Sequence, residues 1–144
     1  KKIWTPENAI GQERKTFNAK NLGLSVALGT YELSPLEFSE LWRIFLRNDL
    51  LPKEYEKTKE SILSILSKNQ HRLLSFGSDN YLDQPWWSVK SGTSRHFVDG
   101  RTCGVNAEKQ TIVCVRAGNY DASPMKESWS LTAGYLWNAV VRML

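Results

Sequence analysis

Apolar positions follow two different rhythms along this chain. Up to about residue 75 they recur with helical spacing; from Trp86 onward they alternate or gather in short runs. Ser34-Pro35-Leu36-Glu37 is a capping box with proline at the first helical position. Behind it Phe38, Leu41, Trp42, Phe45 and Leu46 fall at i, i+3, i+4, i+7 and i+8, while Glu37, Glu40, Arg43 and Arg47 lie mostly elsewhere. This predicts a helix over 35–48 whose aromatic-rich face belongs to the core. Pro52 restarts the pattern. Tyr55, Ile62, Ile65 and Leu66 share one face of a helix over 53–68, which Leu73 and Leu74 extend. Helix, short connection and helix form an αα-hairpin.

Upstream, Thr5-Pro6-Glu7 reads as a helix start, with the helix running to Ala19. Leu22 to Leu28 reads as a short buried strand between Gly23 and Gly29. Residues 75–85 are turn-rich. Trp86 to Val89, Arg95 to Val98, Thr102 to Asn106 and Thr111 to Arg116 read as strands, with Asp99-Gly100 turning between the second and third. Residues 118–124 are loop. Leu131, Tyr135, Leu136, Ala139, Val140 and Met143 then predict a C-terminal helix over 131–144. The fold class is α+β: an αα-hairpin and a C-terminal helix packed on a small antiparallel sheet of about three to five strands. At 144 residues the chain is read as a single domain, 1–144.

Two cysteines, Cys103 and Cys114, fall in the last pair of strands. Pairing them sets the register: Gly104 faces Val113, Val105 faces Ile112, Asn106 faces Thr111 and Ala107 faces Gln110. The hairpin then closes on Glu108 and Lys109. Facing Cα atoms in such a ladder are about 4.5–5.5 Å apart, within the reach of a disulfide. A disulfide implies an oxidising compartment; two buried free thiols are the alternative. No C-x-x-C motif is present, and neither His71 nor His96 has metal-ligand spacing to the cysteines. No metal and no cofactor is expected.

Charge refines this little. The net charge is +4, with both ends basic and the middle slightly acidic, and no Lys/Arg run resembles a nucleic-acid arm. No apolar stretch is long enough to span a bilayer. The chain opens on Lys1-Lys2 without a methionine, as a processed form or fragment would once an upstream signal or anchor had been removed.

Three groups of residues could carry chemistry. Tyr81, Asp83, Gln84, Trp86 and Trp87 form the first. Adjacent tryptophans in a strand point to opposite faces, so one is free to stack on a ligand beside planar polar groups; the simpler reading is that a sheet covered on both sides buries both. Arg95 to Arg101 forms the second. There His96 could act as a base with Cys103 or an acid, but alternation separates it from Asp99, and a solvated Arg/His surface explains the same residues. The helix carboxylates Glu37, Glu40, Glu54, Glu56 and Glu60 form the third; interleaved with Lys and Arg, they read as a solvated surface rather than as a glycosidase pair. Nucleotide-binding loops, nucleophile elbows and zinc-protease signatures are absent from the sequence.

The segment from Trp86 to Gly118, opening on Trp-Trp-Ser and closing on Cys-Val-Arg-Ala-Gly, is similar to the end of C-type-lectin-like domains of bacterial adhesins, which close on a Cys-Val-Arg-Gly strand. It covers under a quarter of the chain. The helical hairpin and the C-terminal helix depart from that pattern, so no site is carried over. The sequence thus reads as a non-enzymatic, extracytoplasmic (secreted, periplasmic or cell-surface) interaction domain. Its partner would be a protein or glycan meeting Tyr81, Trp86, Trp87, Arg95 and His96. The alternatives are a small secreted hydrolase or toxin using His96 with Cys103 or an acid, and a basic nucleic-acid-binding domain, against which a disulfide-bearing hairpin argues.

Overall fold

A computed structural model describes residues 33–127 and 132–144. The expected helix from Thr5 and strand at Leu22–Leu28 lie outside the described residues. The remainder is a three-layer α+β arrangement. A three-stranded antiparallel sheet, in spatial order β1 (Ser88–Thr93), β2 (Asp99–Asn106), β3 (Thr111–Gly118), carries helices on both faces.

On one face lie α1 (Pro35–Trp42) and α2 (Glu56–Ser67). The capping box is formed as its sequence implies: the Glu37 N–H donates to Ser34 Oγ at 3.2 Å, and the Ser34 N–H donates to Glu37 Oε2 at 2.8 Å. Two orphan donors at the helix start are thereby satisfied. Trp42 is buried against Cys103 and Val105, and Phe38, Phe45, Leu46, Leu63 and Leu66 complete that cluster. The aromatic stripe is core. The helix itself is shorter than expected. It tightens into a 3-10 turn at Arg43–Phe45, and further 3-10 turns at Asn48–Leu50 and Lys53–Tyr55 lead into α2. The connection is therefore longer than a tight hairpin loop. α1 lies over β3 and α2 over β1, where Ser88 Oγ donates to the Leu63 carbonyl at 3.1 Å. Leu73 and Leu74 do not extend α2; they open a separate short helix, α3 (Leu73–Phe76), and stand exposed.

On the opposite face α4 (Ala133–Val141) covers β2 and β3. Trp137, Val141, Leu82, Trp87 and Val89 form the second cluster, joined by Phe76, Val113 and Val115. The stripe that announced this helix in the sequence proves to be its outer side: Tyr135, Leu136, Val140 and Met143 are exposed, while Ala133, Trp137, Asn138 and Val141 face the sheet. The helix is apolar all round, so spacing alone does not identify its buried side.

The β2–β3 register is the one deduced from the cysteines: Cys103 faces Cys114, Gly104 faces Val113, Val105 faces Ile112 and Asn106 faces Thr111. The ladder stops at that last pair. A turn over 107–110 closes it, pinned by donation from the Lys109 N–H to Asn106 Oδ1 at 2.9 Å.

Candidate functional site

Two expected strands are corrected. The first begins at Ser88, two residues later than expected, and runs on to Thr93. Trp86 and Trp87 precede it. They do part company, Trp86 at 77% exposure and Trp87 at 4%, but the cause is a backbone turn. Trp86 has φ +70°, a left-handed conformation that bulky residues rarely adopt. Arg95–Val98 is not a strand either. Arg95–Phe97 is a 3-10 turn in which His96 and Phe97 both have positive φ. Asp99 is not a turn residue: it opens β2 and is buried.

The expected site residues consequently divide between the two ends of β1. Six residues of strand extend about 20 Å, with Tyr81, Trp86 and Trp87 before them and Arg95 and His96 after. The structure does not bring these five together.

At the first end, the loop after α3 is clamped from below. Leu82 is fully buried. Asn80 Oδ1 accepts from the Leu82 N–H at 3.0 Å, and Asn138 Nδ2 donates to the Tyr81 carbonyl at 2.7 Å. Tyr81 meets Tyr135 edge-on with ring centroids 5.4 Å apart, and Trp87 meets Trp137 likewise at 5.6 Å. Both belong to favoured aromatic geometries. Trp86 is held outward on this rigid base.

At the second end there is a cleft of ≈ 220 Å³ whose lining includes Phe38, Lys90, Thr93, Ser94, Asp99 and Arg101. Arg101 stacks over the Phe38 ring at 5.9 Å. Asp99 Oδ2 accepts from Arg116 Nε at 2.7 Å and lies 3.6 Å from Arg101 Nη2. Ser94 closes the turn around it: the Asp99 N–H donates to Ser94 Oγ at 2.8 Å, and the Ser94 N–H donates to the Asp99 carbonyl at 2.9 Å. The other carboxylate oxygen, Oδ1, is buried without a hydrogen-bond partner. Lys90 Nζ donates to the Ser91 carbonyl. Sequence reasoning grouped Asp99 and Arg101 but did not join Arg116 to them. The signal was Arg116 on the same hairpin face as Arg101, which their pairing across the ladder makes explicit.

Burial disfavours the charged form of Asp99, but donation from Arg116 and Ser94 and the field of the two arginines outweigh it. The carboxyl is held below its ordinary value. A depressed carboxylate pKa stabilises the fold above the unfolded value of about 3.9, and that contribution disappears as pH falls through the folded value. Asp99→Asn is therefore expected to cost ~1–3 kcal/mol near neutral pH, the lower part of that range reflecting the solvent-exposed arginines. The loss should shrink in acid. Urea titrations of both proteins at pH 7 and pH 3 check this; an equal gap at the two pH values would mean that the carboxylate charge contributes nothing.

Cys103 and Cys114 are joined as a disulfide, their Cα atoms 4.1 Å apart. Cys103 thus offers no thiolate to His96, which is exposed on its turn. Among the described residues no helix is long and apolar enough to cross a membrane. Comparison with protein families, with curated proteins and with solved structures finds no match for this chain.

Proposed function

We propose that this chain is a non-enzymatic extracytoplasmic interaction domain that engages a protein or glycan partner through the loop bearing Trp86. One observation carries the reading: a tryptophan 77% exposed, in a left-handed backbone conformation, on a loop fixed from beneath by Leu82 and Asn138. Local strain of this kind costs about 1–3 kcal/mol and persists where the surroundings enforce it. An exposed ring contributes nothing to the core in return. Large aromatic rings on rigid supports are what interfaces use as anchors, because little conformational entropy is lost when they dock. Tyr81, half-covered by Tyr135, widens the platform. Gln84 stands on the same loop and supplies a planar amide of the kind a sugar hydroxyl meets. The disulfide supports the compartment. Trp87 supports the platform from the core, whereas Arg95 and His96 at the far end of β1 are separate from it.

The test uses two variants. Trp86→Ala should weaken partner binding by ~2 kcal/mol or more, roughly thirtyfold, while leaving stability within about 0.5 kcal/mol. Trp86→Gly should be neutral or stabilising, since glycine adopts positive φ freely. An oligosaccharide array addresses a glycan partner. A photo-crosslinking residue at position 86, installed in the producing cells and read by mass spectrometry, addresses a protein partner. Array binding and complexes that survive Trp86→Ala unchanged would sink the proposal.

A further inference from the structure

Among the described residues the sheet ends at β3. Its outward backbone groups have no partner among the described residues; the Val113 carbonyl, which accepts the Trp137 indole N–H at 3.1 Å, belongs to the β2-facing side of the ladder. Natural edge strands are usually blunted by proline, lysine, a bulge or brevity. This one has none of those. It runs eight residues, Thr-Ile-Val-Cys-Val-Arg-Ala-Gly, in unbroken register with β2 from Gly118 to Thr111. Its single charge, Arg116, is turned back onto Asp99. The other edge differs: β1 carries Lys90 and Gly92.

The helix over this edge is uncovered in the same way. α4 holds no charged residue from Ala133 to Val141. Tyr135 and Asn138 face the loop leading to β1, so by 100° per residue the opposite flank, with the exposed Leu136 and Val140, faces the β3 side.

We propose that the occupant of this edge is a second copy of the same chain, docked β3 to β3 in antiparallel fashion about a twofold axis normal to the sheet. That axis keeps like faces together. The two sheets become one of six strands, and α4 of one copy meets α4 of the other on one side while the α1 helices approach on the other. The seam is self-complementary, as an isologous interface must be. Each copy brings one charge to it, Arg116, which is already paired with Asp99, so two molecules of net charge +4 meet there with that cation neutralised. A strand of eight residues is ~27 Å long, and a sheet flanked by helices is roughly 20–30 Å deep, so each copy would contribute roughly 500–800 Å². Specific dimers use about 800 Å² per partner, which places this one at the lower end, with a dissociation constant on the order of micromolar.

Sedimentation equilibrium of the full chain over about 1–500 µM, bracketing that affinity, reads the mass directly. The expected result is a doubling of mass with concentration. Hydrogen exchange over the same range should show amides between Ile112 and Arg116 slowing as the dimer fills. Leu136→Glu, an exposed change, should raise the dissociation constant at least about tenfold by placing like charges at the seam. Trp86→Ala should leave the dimer intact, which separates this proposal from the loop function. A chain that stays monomeric throughout overturns it. So does a dimer whose protection changes elsewhere, or β3 amides protected equally at every concentration, as they would be if another segment of the chain occupied the edge.

Discussion

Replacing Trp137 by alanine is expected to remove ~3–5 kcal/mol of stability, the upper range for a buried aromatic ring. Trp137 is 0% exposed and packs edge-on against Trp87. Its indole N–H donates to the Val113 carbonyl, so truncation also strips a hydrogen bond from the sheet. The ring lies so close to the sheet that Gly104 is required beneath it. A Cβ on Gly104 would sit 2.5 Å from Trp137 Cζ2. Gly104→Ala should therefore be destabilising by about 1–3 kcal/mol through overpacking. The two sites should also be coupled. In a Trp137→Ala background the added methyl meets empty space, so Gly104→Ala should become nearly neutral there. Urea denaturation of the four proteins of this cycle gives the coupling directly. Additive effects would mean that ring and glycine do not touch.

The cysteine pair made the β2–β3 register legible because facing partners in a two-residue-period ladder leave one solution once a single pair is known. The capping box was legible because its two hydrogen bonds are local to Ser34 and Glu37. The turn before β2 was not. Asp99-Gly100 has turn chemistry, and nothing in Arg95-His96-Phe97 announces two successive left-handed residues. Contacts made elsewhere enforce the turn: Ser94 clasps Asp99, and the Phe97 carbonyl accepts from the Met125 N–H at 2.8 Å. The strand ladder to β3 then draws Asp99 inward against Arg116. These are tertiary effects, outside the reach of local propensity.

The candidate site shows the same division. One exposed and one buried tryptophan was a sound expectation drawn from strand alternation, yet the pair lies outside the strand and is split by the φ of Trp86. Tyr81 and Trp86 precede β1 and Arg95 and His96 follow it, a separation that the sequence did not display. Sequence proximity across a strand hides its length, and β1 proved longer than its apolar residues suggest, because Ser91, Gly92 and Thr93 pair with β2 through their backbone alone.

Trp42→Ala is expected to cost as much as the change at Trp137, ~3–5 kcal/mol, and for a reason on the other side of the sheet. Trp42 ends α1 at 7% exposure and bridges it to the strands through Cys103 and Val105. Phe45 packs against it at 5.4 Å and Phe38 edge-on at 6.4 Å. Removing the ring undercuts both neighbours, and with them the Phe38 wall on which Arg101 rests. Trp42→Phe retains part of that contact and should cost less, since the remaining cavity is smaller. Because Trp42 and Trp137 belong to separate clusters on opposite faces, their losses should add in a double variant, to roughly 6–10 kcal/mol. That approaches or exceeds the whole stability of an ordinary domain, about 5–15 kcal/mol. Thermal melts and circular dichroism should therefore find the single variants folded but weakened and the double variant largely unfolded. A Trp42→Ala protein as stable as the parent would show that the aromatic stripe of α1 is not core.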